Sequence, residues 1–187
     1  MSYSDEPSEA FAVRIAEAGP VDVADVLRVE REAFGANDVA ELVADLLEDA
    51  TAQPLLSLLA WEAGEAVGHV LFTPAALVGA EDLSVSILAP LAVVPHVQGR
   101  GIGASLIEHG VERLGASGVD LVFVLGHPGY YPRHGFVPAI PLGLEAPYTI
   151  TPPEAWMVRA LRPGILGQVQ GTIVCADALN LPEHWRE

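Results

Sequence analysis

The chain has one cysteine, Cys175, and only nine lysines and arginines among its 187 residues. A lone cysteine excludes an internal disulfide and a cysteine-rich metal site. The six histidines show no ligand-pair spacing on one helix, so no metal is expected. The shortage of basic residues leaves a formal net charge of −16. A surface of that sign repels phosphate backbones, which argues against nucleic acid as a partner, and it attracts cationic small molecules or basic peptides. No apolar run reaches the roughly 18 residues that a spanning helix needs, so no membrane segment is expected. The opening "MSYSDEPSEA" lacks a basic stretch leading into an apolar one, and so does not read as a signal peptide. These absences predict a cytoplasmic protein whose first ten residues form a flexible, acidic end.

What is present is apolar material, 51% of the residues, spread evenly enough for one substantial core. Neither an internal repeat nor a Pro/Ser/Gly linker divides the chain. "FAVRIAEA" (11–18) reads as a strand, and Pro20 and Asp22 open a helix with Val23, Val26, Leu27 and Phe34 at helical spacing. Asn37 or Asp38 can cap a second helix, in which Val39, Leu42, Val43, Leu46 and Leu47 form a stripe. Two apolar runs around "EAGEA" predict a hairpin. "DLSVSILAPLAVV" (82–94) reads as a strand interrupted by Pro90, which cannot donate to a ladder and so implies an edge or a bulge. "VDLVFVLG" (119–126) is apolar throughout, as in a strand buried on both faces, and "AWMVRAL" and "GTIVCA" are two further strands. The mixture predicts an α/β or α+β sheet carrying helices.

Between the interrupted strand and the following helix lies "VVPHVQGRGIG" (93–103). Its glycines match neither the dinucleotide fingerprint nor the phosphate-cradling P-loop. The pattern is Q-x-x-G-x-G. Glycines at a helix start let the backbone approach a ligand and leave amide N–H groups unpaired, which with the helix dipole makes an anion site. Arg100 adds a positive charge there, and Gly103 and Gly110 fall on the apolar face, where they let the helix sit close to the sheet. Taken alone, the three glycines could equally make only a tight turn.

"LAVVPHVQGRGIGASLIEHGVERL" resembles the acetyl-CoA-binding motif of the GNAT N-acetyltransferase superfamily. The strand broken at Pro90 resembles the superfamily's bulged strand, "YYPRHGF" its tyrosine-then-Gly-Phe ending, and "PPEAWMVRALRPGILGQVQGTI" an uncharacterised bacterial subgroup. The resemblance implies the GNAT fold, a mixed and mostly antiparallel sheet with a bulged central strand flanked by helices. It divides the chain into an end at 1–10, an acetyltransferase domain at 11–162 and an extension at 163–187 packed on the same domain.

The reaction implied is direct transfer of acetyl from acetyl-CoA to a primary amine of a small molecule or peptide, without a metal. The acceptor would be cationic, and the protein a monomer or a homodimer. By the resemblance, Leu91, Ala92 and Val93 pair with the pantetheine arm through their main chain, and the Val93 amide stabilises the oxyanion. Gln98, Gly99, Arg100, Gly101, Ile102 and Gly103 match the pyrophosphate loop. The family's tyrosine, which protonates the leaving thiolate, lies four residues before the glycine of Gly-Phe, and Gly135 places it at Tyr131. Tyr130 then packs. Pro132 limits the element to a short turn of helix, beginning near Pro128 or Gly129. A lysine-like amine has a pKa of about 10.4 and must lose a proton before attack. Glu30, Glu32 and His127 are the leading candidates for that base, with Glu81 and Asp82 behind them. The alternative on the same fold is a non-catalytic acyl-CoA-binding or sensor domain.

Overall fold

The computed structural model describes residues 12–186, so the expected flexible end at 1–10 lies outside the described residues. The first strand, β1 (Arg14–Glu17), is followed by a short 3-10 turn at Pro20–Asp22 and by α1 (Val23–Phe34). Asp22 Oδ2 accepts the Gly19 N–H at 2.8 Å and so fastens that turn. α1 is rotated from the predicted stripe. It buries Val26, Val29 and Glu30, while Val23 and Phe34 stay partly exposed. The reason is a tertiary one: the inward face meets a histidine that accommodates the acid. Gly35, in the left-handed region at φ 65°, stops the helix. α2 (Asp38–Glu48) follows with Ala40, Val43 and Leu46 inside.

The hairpin is present as β2 (Leu56–Glu62) and β3 (Glu65–Leu77), and the Pro90-containing strand as β4 (Val85–Val93). A 3-10 turn and the glycine loop lead into α3 (Ile102–Ala116). β5 (Leu121–Leu125) comes next, then short strands β6 (Val137–Pro138) and β7 (Leu144–Glu145), and finally β8 (Trp156–Ala160) and β9 (Gly171–Val174). The sheet runs β1-β2-β3-β4-β5-β8-β6, with β9 paired to β3 and β7. β4–β5 and β7–β9 are parallel and the other pairs antiparallel, giving a mixed, mostly antiparallel sheet.

Successive residues of β3 assign the layers, because side chains alternate between faces. Gly68 faces α3, where an added Cβ would lie 2.9 Å from Leu106. His69 faces α1 and bonds Glu30. The sheet is therefore sandwiched between α3 on one face and α1 on the other. Gly110 lets α3 settle, since a Cβ there would overlap the Phe72 ring of β3.

Candidate active site

The central feature is a divergence of two parallel strands. β4 and β5 pair only from Val85–Leu121 to Leu88–Val124. On its other side β4 keeps its partner, but the register with β3 passes from Phe72–Leu88 to Val70–Leu91. Ala89 and Pro90 together thus oppose Leu71 alone, a bulge that twists the strand away from its neighbour. The interruption expected at Pro90 is this bulge.

Beyond it, hydrogen-bond parity decides which amides face the gap. The Val94 N–H donates to Val67 O at 3.0 Å, making Val67–Val94 a hydrogen-bonded pair. In an antiparallel ladder such pairs alternate with non-bonded ones. Ala92 therefore spends its backbone on His69, while Leu91 and Val93 direct theirs away from β3 into the gap. This corrects the sequence-based set of three main-chain contacts: Ala92 has no free donor there. The Gln98 side chain donates to Val93 O at 2.9 Å, so it ties the loop to the strand rather than reaching outward.

Next to Val93, the loop opens α3 with amides exposed. The first intrahelical bond runs from Ser105 N–H to Gly101 O at 3.0 Å, leaving Ile102, Gly103 and Ala104 N–H groups ahead of it. The first turn carries no acidic side chain. Gly99 and Gly101 have φ of 76° and 83° with open space where a Cβ would stand, so their requirement is conformational. Gly103 differs. A Cβ there would lie 2.7 Å from the Tyr130 hydroxyl and close to Leu91 and Val93 of β4, so it faces the sheet as expected, at the point where the groove opens. Arg100 departs from expectation. Its guanidinium pairs with Glu62 on β2 and does not line the groove. The cation that does is Arg133, over the Tyr130 ring at 5.3 Å.

Two cavities meet at this point. A groove of about 380 Å³ is lined by the loop, Val93, Arg133 and His134. A larger cavity of about 600 Å³ lies on the α1–α2 side. Leu91 and Tyr130 line both. Tyr131 lines the larger cavity alone, 8% exposed, with its ring against Phe136 at 5.6 Å. The turn holding them is a 3-10 segment at Tyr131–His134 with Pro132 in its first turn, entered through a tighter turn in which the Tyr130 N–H donates to His127 O at 3.0 Å. Burial raises the Tyr130 phenol pKa above its ordinary value, against the opposing charge of Arg133.

The candidate bases separate. Glu30 is fully buried and holds His69 Nδ1 at 2.5 Å, with Ser57 Oγ on His69 Nε2 at 2.8 Å. Desolvation raises its pKa, and the His69 hydrogen bond and charge act against that. It lines neither cavity, so it is no base in contact with an acceptor. Glu32 is on the surface, paired with Arg28 at 3.1 Å, and Glu81 caps its own turn through Gly79 N–H at 2.9 Å. Neither they nor Asp82 line a cavity. His127 does line the larger cavity, but its Nδ1 accepts the Gly129 N–H at 3.0 Å, which commits the lone pair of the neutral ring.

Sequence reading missed the far wall of that cavity, formed by Leu179 and Glu183–Arg186. These residues sit on 3-10 turns without hydrophobic periodicity. Their anchors are long-range: Asp177 N–H to Thr51 Oγ1 at 2.8 Å and Ala178 N–H to Asp49 Oδ2 at 2.9 Å. Among the described residues no group of three metal-ligating side chains occurs, and no helix is long and apolar enough to cross a membrane.

Comparisons with known proteins give this geometry a family. Residues 55–138 match the family model described as "Acetyltransferase (GNAT) domain". The chain is 50% identical over 161 residues to the uncharacterized N-acetyltransferase YjhQ of Escherichia coli K12, covering 83% of this chain and 88% of that one. The crystal structure of the GNAT family N-acetyltransferase YhbS from E. coli, in complex with CoA, superposes with a TM-score of 0.85 at 30% identity, over 94% of this chain and 96% of that one. A GNAT family acetyltransferase from Brucella melitensis, in complex with acetyl-CoA, gives 0.72 at 29% identity, over 90% and 99%. Strand divergence, exposed helix-start amides and these likenesses agree: the chain belongs to the GNAT family of N-acetyltransferases.

Proposed function

We propose that this protein binds acetyl-CoA in the groove and transfers its acetyl group directly to a primary amine held in the larger cavity. The observation that carries the reading is the meeting of the two cavities at Leu91 and Tyr130, beside amides that β3 leaves free. The groove fits the co-substrate chemically. Helix-start N–H groups and Arg133 suit a pyrophosphate, and the unpaired edge of β4 suits an amide-bearing arm laid alongside like a strand.

In the transfer a C–N bond forms at the acetyl carbon and the C–S bond breaks. The Leu91 amide, at the junction, polarises the thioester carbonyl, and the Val93 amide, two residues further, holds the arm. This moves the oxyanion role from Val93 to Leu91. Tyr131 protonates the departing thiolate, the role its count from Gly135 implies. Tyr130, shared by both cavities, seats the thioester. His184 takes the amine proton, because among the described residues neither of its ring nitrogens is engaged and it lines the cavity, whereas His127 would have to give up its Gly129 bond. Positioning and the amide donor supply most of the acceleration, and acid–base groups about 10²–10⁴ more.

Calorimetry with acetyl-CoA, followed by a thiol-release assay over a panel of amines, tests the reading. Binding with turnover of at least one amine is expected. Binding without turnover on any amine would favour the non-catalytic sensor, and absence of binding would remove both.

A further inference from the structure

We infer that the acceptor is a primary amine carried on an apolar alkyl or aryl body, not a polyamine or an aminoglycoside. The inference rests on the acetyltransfer reading above and concerns the same cavity.

Its depth is written in the exposure of its lining. The buried lining residues are Ile87, Leu88, Leu179 and Trp185, with exposures of 1–3%, together with Gly126 and the ring of Tyr131. The polar ones, Asp38, Glu183, Arg186 and His127, are exposed and so sit at the mouth, with His184 half-buried between mouth and floor. Phe34 extends the apolar wall outward at 46% exposure, an exposed aromatic that the core does not use. An acceptor therefore meets two carboxylates and one guanidinium first, a mouth that is negative on balance and favours an ammonium group, and then an apolar floor.

A molecule with several ammonium or hydroxyl groups could pair some of them with the mouth and His184, but those carried to the floor would meet leucine, isoleucine and tryptophan without partners, a costly desolvation. A molecule with one amine avoids this. Its nitrogen reaches the junction at Leu91 and Tyr130 while the carbon body covers the floor. The volume of about 600 Å³ is in the range of pockets that enclose a compact organic ligand.

The test is thiol release by the full chain at fixed acetyl-CoA, over ethylamine, butylamine, hexylamine and 2-phenylethylamine, and over spermidine and kanamycin. We expect kcat/KM to climb roughly fourfold per added methylene along the alkyl series, with the aryl amine at the upper end. A flat series, or spermidine or kanamycin outrunning hexylamine, would overturn the substrate class while leaving the transferase reading in place. Failure of every amine would overturn the transferase reading itself. As a second arm, Leu42→Ser on the cavity wall should raise KM for hexylamine several-fold with acetyl-CoA affinity unchanged, the latter reporting that the variant is folded. An unchanged hexylamine KM with normal acetyl-CoA affinity would count against the inference.

Discussion

At the scale of single residues, the roles proposed for the paired phenols make a sharp test. Tyr131→Phe should lower kcat by about 10² or more while sparing acetyl-CoA affinity. Tyr130→Phe should raise the acetyl-CoA KM with a smaller effect on kcat. Steady-state kinetics on both variants checks this, and a reversed pattern would exchange the two roles. Cys175 has no role in the proposed transfer. It is buried, burial pushes its thiol up to about 11, and it lines neither cavity. Cys175→Ser should keep full turnover, and the native thiol should resist alkylation at neutral pH.

Glu30 belongs at this scale too. Its folded pKa lies above the ordinary carboxylate value, so the stability it contributes is complete below about pH 4.5 and is lost as pH rises through the folded value. Glu30→Gln should flatten that part of the stability profile in denaturant titrations at several pH values. Glu30→Ala, which strips His69 Nδ1 of its hydrogen-bond partner, should cost about 1–3 kcal/mol.

At the scale of elements, two glycines act as spacers. Gly126, at the end of β5, would drive a Cβ into the Tyr131 ring, and Gly110 into Phe72. Gly110→Ala should destabilise the fold by about 1–3 kcal/mol through the α3–β3 contact. Gly126→Ala should reduce turnover more than its loss of stability accounts for, because it displaces the proposed acid. Thermal melts beside kcat measurements separate the two effects. The C-terminal wall depends on Asp49, whose oxygens accept from Thr51 N–H at 2.7 Å and Ala178 N–H at 2.9 Å. Those bonds, the Thr51 side chain first, lower its pKa, so they persist at neutral pH and fail as pH falls through the lowered folded value. Asp49→Ala should speed limited proteolysis after residue 176 and raise the amine KM while leaving acetyl-CoA binding intact.

Elements also show where sequence reading stops. Pro90, the Q-x-x-G-x-G loop and the continuous apolar run of β5 all leave local traces, because proline, glycine and unbroken hydrophobicity have consequences within a few residues. Register leaves none. That Ala92 faces β3 while Leu91 and Val93 face the gap depends on pairing with residues 67–70. The burial of Glu30 is likewise settled by His69, 39 positions away. The pairing of Arg100 with Glu62, 38 positions away, and the cavity wall around Trp185 escape for the same reason.

For the whole molecule, the dominant fact is the charge of −16. The general field attracts an ammonium acceptor and repels an anionic co-substrate, whose local donors must work against it. Raising the salt from about 0.02 to about 0.3 M should therefore increase the KM for a cationic amine and decrease that for acetyl-CoA. Michaelis constants for both substrates across that range test it, and a shift of equal sign would contradict the field argument.

The gap beyond Leu88 has one more consequence. A strand with unsatisfied amides is a template on which another chain can add, the first step of sheet-to-sheet aggregation. Mutual repulsion between so many carboxylates discourages two copies from meeting there. A molecule lying along β4 would complete the ladder and blunt that edge. Coenzyme would then act as a folding ligand as well as a reactant: it should raise the melting temperature by mass action and suppress turbidity on heating, most visibly in high salt, where the repulsion is screened.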